Sequence, residues 1–321
     1  MSRRAWATFA AMSLIWGIPY LFIRIAVRGG VTPMVLAWGR VTLAAVVLLA
    51  LAWRAGTLDQ VRGRARWLVI YAVVEVCFPF PLIAFGETHV ASSLAAIVIA
   101  SVPLIGALLA IRFDHAERPT PLRAAGLLIG FGGVVALVGI DVVGNAGELL
   151  GTVAIMGAAV GYAIGPMVIK HRMAGLDPRA MIGASLAVAS VLLAPAAAID
   201  LPRRAPTAGA IASVVVLGLV CTALAFVIFT VLIHEAGTSR ATVITYVNPV
   251  VAVALGVALL GEQPGTGAVA GLLLILAGSW LSTGGRLPPP FRRREAGSAS
   301  AVGRRSRADA APERSAACAG A

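Results

Sequence analysis

Two stretches of the sequence decide the fold: "ERPTPLRAAGLL", which begins at Glu117, and "EQPGTGAVAGLL", which begins at Glu262. Both open with Glu-x-Pro and close with Ala-Gly-Leu-Leu, and they lie 145 residues apart (262 − 117). The same offset aligns further pairs: Gly30–Pro33 with Gly175–Pro178, Gly126 with Gly271, and Gly133 with Gly278. The repetition predicts two copies of one structural unit.

The composition places both copies in lipid. The chain has 321 residues, of which 59% are hydrophobic and 12% charged, and its mean hydropathy is +0.92. Soluble proteins carry about 25% charged residues. The net charge of +12 would favour nucleic acid as a partner, but the basic residues lie in short gaps between apolar runs or in the tail. Basic residues beside hydrophobic spans indicate orientation in a membrane, so we expect membrane lipid and no nucleic acid.

Ten apolar runs are long enough to cross a bilayer, because about 20 helical residues span its ~30 Å hydrocarbon core. A soluble all-helical protein is the alternative, but these runs lack a polar face of ordinary width. The sequence therefore predicts an all-α integral membrane protein with ten transmembrane helices. The predicted spans are 5–27, 34–53, 67–86, 91–112, 122–140, 149–169, 179–199, 209–232, 239–260 and 266–283.

The basic residues predict which way the spans face. With the N-terminus inside, the inner loops hold 13 Lys and Arg residues against three outside, even without the tail. Cytoplasmic loops carry such an excess, so we expect both termini in the cytoplasm. Five spans per copy is an odd number, so the second copy enters from the opposite face. Inverted repeats are typical of secondary transporters, whose substrate site lies between the halves.

The expected domain organisation is a first five-helix repeat over 1–146, a second over 147–284, and a disordered basic tail over 285–321. The tail is rich in Pro, Arg, Ser and Ala and cannot build a core. Its arginines either contact anionic lipid or only solubilise the chain.

The sequence resembles the drug/metabolite transporter superfamily, specifically proteins with two EamA-type domains. Four stretches carry the resemblance: "LIWGIPYLFIRIAV" (Leu14–Val27), "WGRVTLAAVVLL" (Trp38–Leu49), "HVASSLAAIVIASVPLIGALLA" (His89–Ala110) and "GTSRATVITYVNPVVAVALG" (Gly237–Gly256). The two Glu-x-Pro loops complete the match. The resemblance implies a ten-helix, alternating-access carrier of the inner membrane that exports small metabolites.

Three charges lie within the predicted spans: Arg24, Arg40 and Glu75. A charge inside the bilayer costs at least about 2.5–3.5 kcal/mol, so each needs a reason. Glu75 lies near the middle of its span, where it either couples transport to protons or bonds a neighbouring helix. Arg40 either grips a substrate carboxylate or pairs with Glu75, and Arg24 either lines the site or extends to the interface.

The repeat equivalents of these three charges are Ile169, Ser185 and Cys221, all neutral. The pattern predicts that the first half handles charge while the second half supplies shape.

Aromatic and amide side chains complete the candidate site, with packing or an interfacial belt as the alternative. The candidates are Trp16, Tyr20, Tyr71, Tyr162, Tyr246 and Asn248. Prolines are expected to break helices and expose backbone carbonyls around the site. The predicted breaks are at Pro19, Pro103, Pro166 and Pro249.

The sequence lacks the motifs that other functions would require. The chain's one Lys, Lys170, is not in a phosphate-binding loop, and neither G-x-S-x-G nor H-E-x-x-H occurs. We therefore expect no ATP-driven pump, no enzyme, no cofactor and no metal site. The prediction is a proton-coupled exporter of a small metabolite, amino acid or drug, and the alternative is a lipid or amphiphile flippase of the same architecture. Glu117 and Glu262 are each expected to cap the helix that follows. The sequence carries no signal for oligomeric state.

Overall fold

The computed structural model describes residues 3–113, 120–142, 144–236 and 244–282, and this part of the chain is helical with short connections. Eight helical stretches within it are long and apolar enough to cross a membrane. They are Arg4–Arg28, Pro33–Arg54, Ala65–His89, Ser92–Ile111, Pro121–Val142, Ala146–Arg172, Pro178–Ile199 and Ala208–Glu235. The other two predicted spans coincide with shorter apolar helices of 17 residues, Ile244–Leu260 and Thr266–Ser282. The protein is thus an all-helical, multi-pass membrane protein; the tail at 285–321 lies outside the described residues.

Several spans are built from more than one helix, and the α-helices of the described residues are numbered in chain order. They are α1 (Arg3–Gly17), α2 (Pro19–Arg28), α3 (Pro33–Arg54), α4 (Ala65–Tyr71), α5 (Pro79–His89), α6 (Ser92–Ile99), α7 (Val102–Phe113), α8 (Pro121–Leu137), α9 (Ala146–Arg172), α10 (Pro178–Ile199), α11 (Ala208–Gly218), α12 (Ala225–Ala236), α13 (Ile244–Leu260) and α14 (Thr266–Ser282).

Two of the four prolines stand at interruptions. Ile18 separates α1 from α2, which starts at Pro19, and residues 100–101 separate α6 from α7, where Pro103 is the second residue. Proline has no N–H to donate to the preceding turn. Pro166 and Pro249 instead lie inside α9 and α13, which continue past them, so the helix breaks predicted there do not occur. Membrane helices tolerate an internal proline because neighbouring groups satisfy the freed carbonyl.

Two π-helical segments occupy matching places in the two copies. Ala72–Cys77 joins α4 to α5, and Leu219–Leu224 joins α11 to α12. A third, Val138–Val142, ends the span that begins with α8. π-Helical turns inside α-helices are frequent at functional sites. The chain therefore places the same backbone distortion near the middle of both corresponding spans.

The helices α3 and α10, which are repeat equivalents, pack against each other in opposite directions. Thr32 donates to the carbonyl oxygen of Asp200, and the hydroxyls of Thr42 and Ser190 lie 2.7 Å apart. Further along, Gly183 faces the backbone of Leu49. Residue numbers rise on α3 as they fall on α10, so this pair is antiparallel.

The second pair of equivalent helices, α8 and α14, also runs antiparallel and at very short range. A Cβ on Gly133 would come within 2.8–2.9 Å of Leu274, Ile275 and the carbonyl of Gly271. A Cβ on Gly278 would overlap the backbone of Gly130. Glycine is required at these crossings because the two backbones touch.

Cross-packing between the copies follows the same symmetry. The span containing α5 packs on α9, and the equivalent span containing α11 packs on α2. Core clusters fill these contacts: one centres on α3 and α10, and another holds Ile155 of α9 among α6, α8 and α14 residues. The interior between the halves is therefore lined by the spans that hold α2, α3, α5, α9 and the π-helical segments.

Candidate functional site

Arg40 of α3 is the central cation, and only 8% of it is exposed. Its Nε donates to Thr222 Oγ1 at 2.8 Å, across from the π-helical segment Leu219–Leu224. Its guanidinium carbon lies 4.1 Å from the centroid of the Phe80 ring, a cation–π contact. Arg40 thus belongs to the first half and donates a hydrogen bond to the second half.

Two edge-to-face aromatic pairs bridge the halves. Phe80 meets Tyr162 with ring centroids 6.4 Å apart at 79°, and Trp16 meets Phe226 at 6.0 Å and 79°. Trp16 and Tyr162 are 146 residues apart, as are Phe80 and Phe226, so the pairs are near-equivalent. Among the arginines that the structure describes, Arg40 places its guanidinium over the Phe80–Tyr162 pair, and none is found over Trp16–Phe226.

Glu75 is the fourth residue of the π-helical segment Ala72–Cys77, and it is half-buried. Its Oε2 atom is buried and has no hydrogen-bond partner. The carboxyl lies against Gly165 of α9, where any Cβ would overlap it. In the matching segment Cys221, the equivalent predicted from the sequence, is the third residue, and Thr222 is the fourth.

Three tyrosines lie near these charges. Tyr162 interacts electrostatically with both Arg40 and Glu75, and Tyr71 interacts with Glu75 and Tyr162. Tyr20 interacts with Tyr162 and Arg40. The structure therefore brings Tyr20, Tyr71 and Tyr162 together with Arg40 and Glu75.

Glu87 is a further buried charge in the Ala65–His89 span, and the sequence did not reveal it. The predicted span stops at residue 86, but α5 continues to His89 and Glu87 is 0% exposed. Neither of its carboxyl oxygens has a hydrogen-bond partner. The polar run Glu87–Thr88–His89 follows the end of the predicted span. The available signal is helical spacing, since Ile83 and Ala84 point inward three and four residues earlier.

Arg24 lies beside Glu87 rather than at the interface alone. Its Nη1 donates to the main-chain oxygen of Glu87, and its Nε is buried without a partner. This arginine therefore satisfies a carbonyl in the last turn of α5 and has one further donor to offer.

The remaining candidates lie away from this cluster. Trp16 packs on Phe226 and Phe229 in a separate apolar cluster. Tyr246 donates to the Ser279 carbonyl at 3.3 Å. With its amide turned to donate, Asn248 reaches the carbonyls of Ser13 at 3.2 Å and Ile244 at 2.9 Å. These contacts hold α13 to its neighbours.

Glu262 caps a helix, but not the one that follows it. Its carboxylate accepts from Ser92 N at 2.8 Å, Ser92 Oγ at 2.9 Å and Ser93 N at 2.9 Å, at the start of α6. Burial alone would raise the pKa of Glu262, but the hydrogen bonds from Ser93 and Ser92 outweigh it and hold that pKa below its usual range. The prediction that Glu262 caps α14 is wrong, whereas Glu117 lies outside the described residues.

The start of α14 is capped instead by Asp141, which accepts from Gly267 N at 3.2 Å and Ala268 N at 2.5 Å. Asp141 belongs to the first half and α14 to the second, as Glu262 belongs to the second half and α6 to the first. The two carboxylates therefore join the halves at this end of the molecule, beside a cavity of about 430 Å³ that Asp141, Glu148 and Gln263 help to line.

The chemistry of the cluster is amphoteric. Arg40 offers a guanidinium that matches carboxylates, and Glu75 offers a carboxyl that matches an amine or a proton. Phenol hydroxyls and the Phe80 ring between them suit a small organic molecule with an apolar body.

Known proteins match this chain along its whole membrane portion. The model of the EamA-like transporter family matches twice, over residues 4–139 and 149–284. The matches begin 145 residues apart (149 − 4) and end 145 apart (284 − 139), the offset of the sequence repeat.

Individual relatives are transporters by name where the match is long. A Streptantibioticus cattleyicolor protein named "Probable terminal-alkyne amino-acid exporter" is 31% identical over 313 residues, 95% of this chain and 99% of that protein. The Escherichia coli K12 protein named "Uncharacterized inner membrane transporter YedA" is 28% identical over 260 residues, 78% of this chain and 81% of that protein. PagO of Salmonella typhimurium is 37% identical over 134 residues, 41% of this chain and 42% of PagO, so that match spans less than half of PagO.

A solved crystal structure shares the fold with a TM-score of 0.63. It is 22% identical, and the alignment covers 87% of this chain and 97% of that one.

Proposed function

The chain belongs to the EamA-like transporter family, and on that premise we propose that it is a secondary transporter exporting a small organic solute across the inner (plasma) membrane. It crosses the membrane ten times, as two five-helix copies of opposite orientation, with both termini in the cytoplasm. The antiparallel packing of α3 on α10 and of α8 on α14 supports this arrangement. The 17-residue helices α13 and α14 are at the short end of the length that spans a bilayer.

The observation that carries the proposal is the cluster of Arg40, Phe80, Tyr162 and Glu75 between the halves. Arg40 and Glu75 come from the first copy, and Tyr162 comes from the second. A solute held there contacts both copies, so rocking one copy against the other opens the site to alternate sides.

The charges of the cluster favour an amino acid as the solute. Its carboxylate suits Arg40, its ammonium suits Glu75, and its side chain suits the aromatic faces. The relative that shares 31% identity over 95% of this chain carries amino-acid export in its name.

Glu75 is the proposed proton-coupling group. It lies near the middle of the Ala65–His89 span, on a distorted segment, and one of its oxygens is buried without a partner. An unpaired carboxylate in such a place is costly, so its charge depends on whether substrate, proton or water is present. That dependence is what coupling requires.

Glu75→Gln tests this role. The amide resembles the protonated carboxyl in shape, so the variant is expected to fold and to exchange solute across the membrane. It should lose accumulation against a gradient, because no proton can be released at residue 75. A resistance screen with toxic amino-acid analogues in cells overproducing the protein selects the solute, and purified protein in vesicles with an imposed pH difference gives both activities.

If Glu75→Gln still accumulates solute against a gradient when a pH difference is imposed, the proton-coupling group is a residue other than Glu75. Wild-type movement of labelled phospholipid, with no saturable flux of the selected solute, would favour the flippase alternative.

A further inference from the structure

The Glu87 carboxyl stands apart from the cluster just described. On the Ala65–His89 span it lies twelve residues from Glu75, about 18 Å along a helix at 1.5 Å per residue. Its side chain is 0% exposed and both carboxyl oxygens lack a partner. Buried carboxyl oxygens are nearly always hydrogen-bonded, so two orphans on one side chain need an explanation.

Charged and titratable groups face Glu87 from three elements. Arg24 and Tyr20 come from α2, Arg40 comes from α3, and Glu262 comes from the 261–265 connection. On its own helix, His89 follows two residues later. Arg24 already binds the Glu87 main-chain oxygen, and its Nε is a buried donor without a partner.

The fold itself does not need a charge at this place. At the offset of 145–146 residues, Glu87 corresponds to Leu232 or Ile233, both of which pack in an apolar cluster beside Met12. Arg24 corresponds to Ile169 or Lys170, of which Ile169 packs against the core cluster of α3 and α10. The acid near this helix end in the other copy, Glu235, is paired with Arg4, whereas both carboxyl oxygens of Glu87 lack a partner, so Glu87 points to function rather than packing.

Two tyrosines, Tyr162 and Tyr20, lie between Glu75 and Glu87. Along α9, Gly165 meets Glu75 and Gly161 meets Pro79, so Tyr162 lies about one turn from Glu75 towards Glu87. Tyr20 precedes Arg24 by one turn of α2 and interacts electrostatically with both Tyr162 and Glu87. Polar groups from three spans thus lead from the middle of the membrane to the end at which Glu262 and Asp141 join the halves.

We propose that Glu87 is a second proton-binding carboxyl of the transport cycle. Glu87 exchanges its proton near the outer face of the membrane, whereas Glu75 exchanges its proton near the middle. When the outer end opens, the O–H bond of Glu87 breaks, the proton passes to outside water, and the carboxylate is received by the Nε–H of Arg24. Proton uptake from outside reverses these steps. The inference rests on the proposed proton-coupled transport. It names a second proton-binding residue and the side of the membrane on which that residue exchanges its proton.

The test compares Glu87→Gln and Glu87→Leu with Glu75→Gln in vesicles whose inner and outer pH are varied separately. The amide removes only the titration, and leucine reproduces the apolar residue of the other copy, so at least one variant is expected to fold. Both should lose the dependence of solute flux on the pH of the outer face, while exchange at equal pH on both sides persists. Infrared difference spectra recorded with pH as the only probe should lose one carboxyl band in each Glu87 variant and a different band in Glu75→Gln.

The outcomes separate the two proposals. Wild-type flux that ignores pH overturns proton coupling and, with it, this role of Glu87. Proton-driven wild-type flux with an unchanged outer-pH response in both Glu87 variants overturns the role of Glu87 alone. A changed KM for the solute with coupling intact also overturns it, since Glu87 would then bind solute instead of protons. Glu262→Gln is the control for titration of the neighbouring carboxylate.

Discussion

The two halves share a shape but not a chemistry, and the two aromatic pairs make the difference plain. Trp16–Phe226 and Phe80–Tyr162 have nearly the same geometry and both bridge the halves. Arg40 lies over Phe80, whereas its equivalent in the second half is Ser185, whose hydroxyl bonds Met181 O on its own helix at 2.9 Å. Arg40 therefore brings a charge to one pair, whereas Trp16 of the other pair packs in an apolar cluster.

Symmetry of backbone with asymmetry of charge has a physical basis. Alternating access needs two copies that can exchange conformations, and this depends on helix packing and kinks. Binding needs only one set of charges, because a second buried set would cost desolvation without adding a ligand. We therefore expect backbone-contact substitutions to act equally in both halves and charge substitutions to act in the first half alone.

The largest expected effect is on the shared packing. Gly133→Ala and its equivalent Gly278→Ala each put a methyl group against the opposing backbone and should lower stability by about 2–3 kcal/mol. Gly132→Ala is the matched control, because nothing lies within 4 Å of a Cβ there, and it should raise stability by up to about 1 kcal/mol. Thermal unfolding in detergent measures all three. Markedly unequal losses at 133 and 278 would break the symmetry of the packing.

The next effect is on the charge that the halves do not share. Arg40→Ser copies the second-half residue and removes the hydrogen bond to Thr222 and any bond to solute, so flux at low solute concentration should fall about 10- to 100-fold. Ser185→Ala is the control and should leave flux near wild type. Vesicle transport at matched protein yield measures both. Equal losses at 40 and 185 would contradict a charge site confined to the first half.

The smallest effect concerns the carboxylate that joins the halves. Glu262→Gln weakens the cap on α6 and should cost about 1 kcal/mol at neutral pH. The pKa of Glu262 is lowered, so its contribution is complete above the ordinary carboxyl value of about 4.3 and is lost as pH falls through the lower folded value. The stability gap between wild type and variant should therefore close in acid.

Thermal unfolding across a pH series measures that gap. Glu148→Gln is the control, because the bond that the described residues show for its carboxylate comes from the Asn145 amide within its own helix cap. A gap that stays constant into acid would show that the Glu262 carboxylate does not hold the two halves together through its charge.

The membrane class, the position of the helices and the duplication could all be predicted from the sequence. Hydropathy reports transfer of each segment into lipid, a local property, and repeats such as Gly133 and Gly278 are visible because both copies need the same close approach. Arg40, Glu75, Tyr20, Tyr71 and Tyr162 were also predicted from the sequence, because charged residues are rare in spans and aromatic side chains can enclose an organic substrate.

The tertiary structure was needed to show which of those residues contact one another. It also revealed Glu87, which the sequence pattern does not indicate. The burial of Glu87 depends on α2 lying across the end of α5, and the capping of α6 by Glu262 joins residues about 170 positions apart. Tyr162 enters the cluster while Tyr246 bonds Ser279, although both are tyrosines in second-half spans. Uniformly apolar helices show no polar face that sets their rotation, so packing between helices, not local pattern, chooses which side chains point inward.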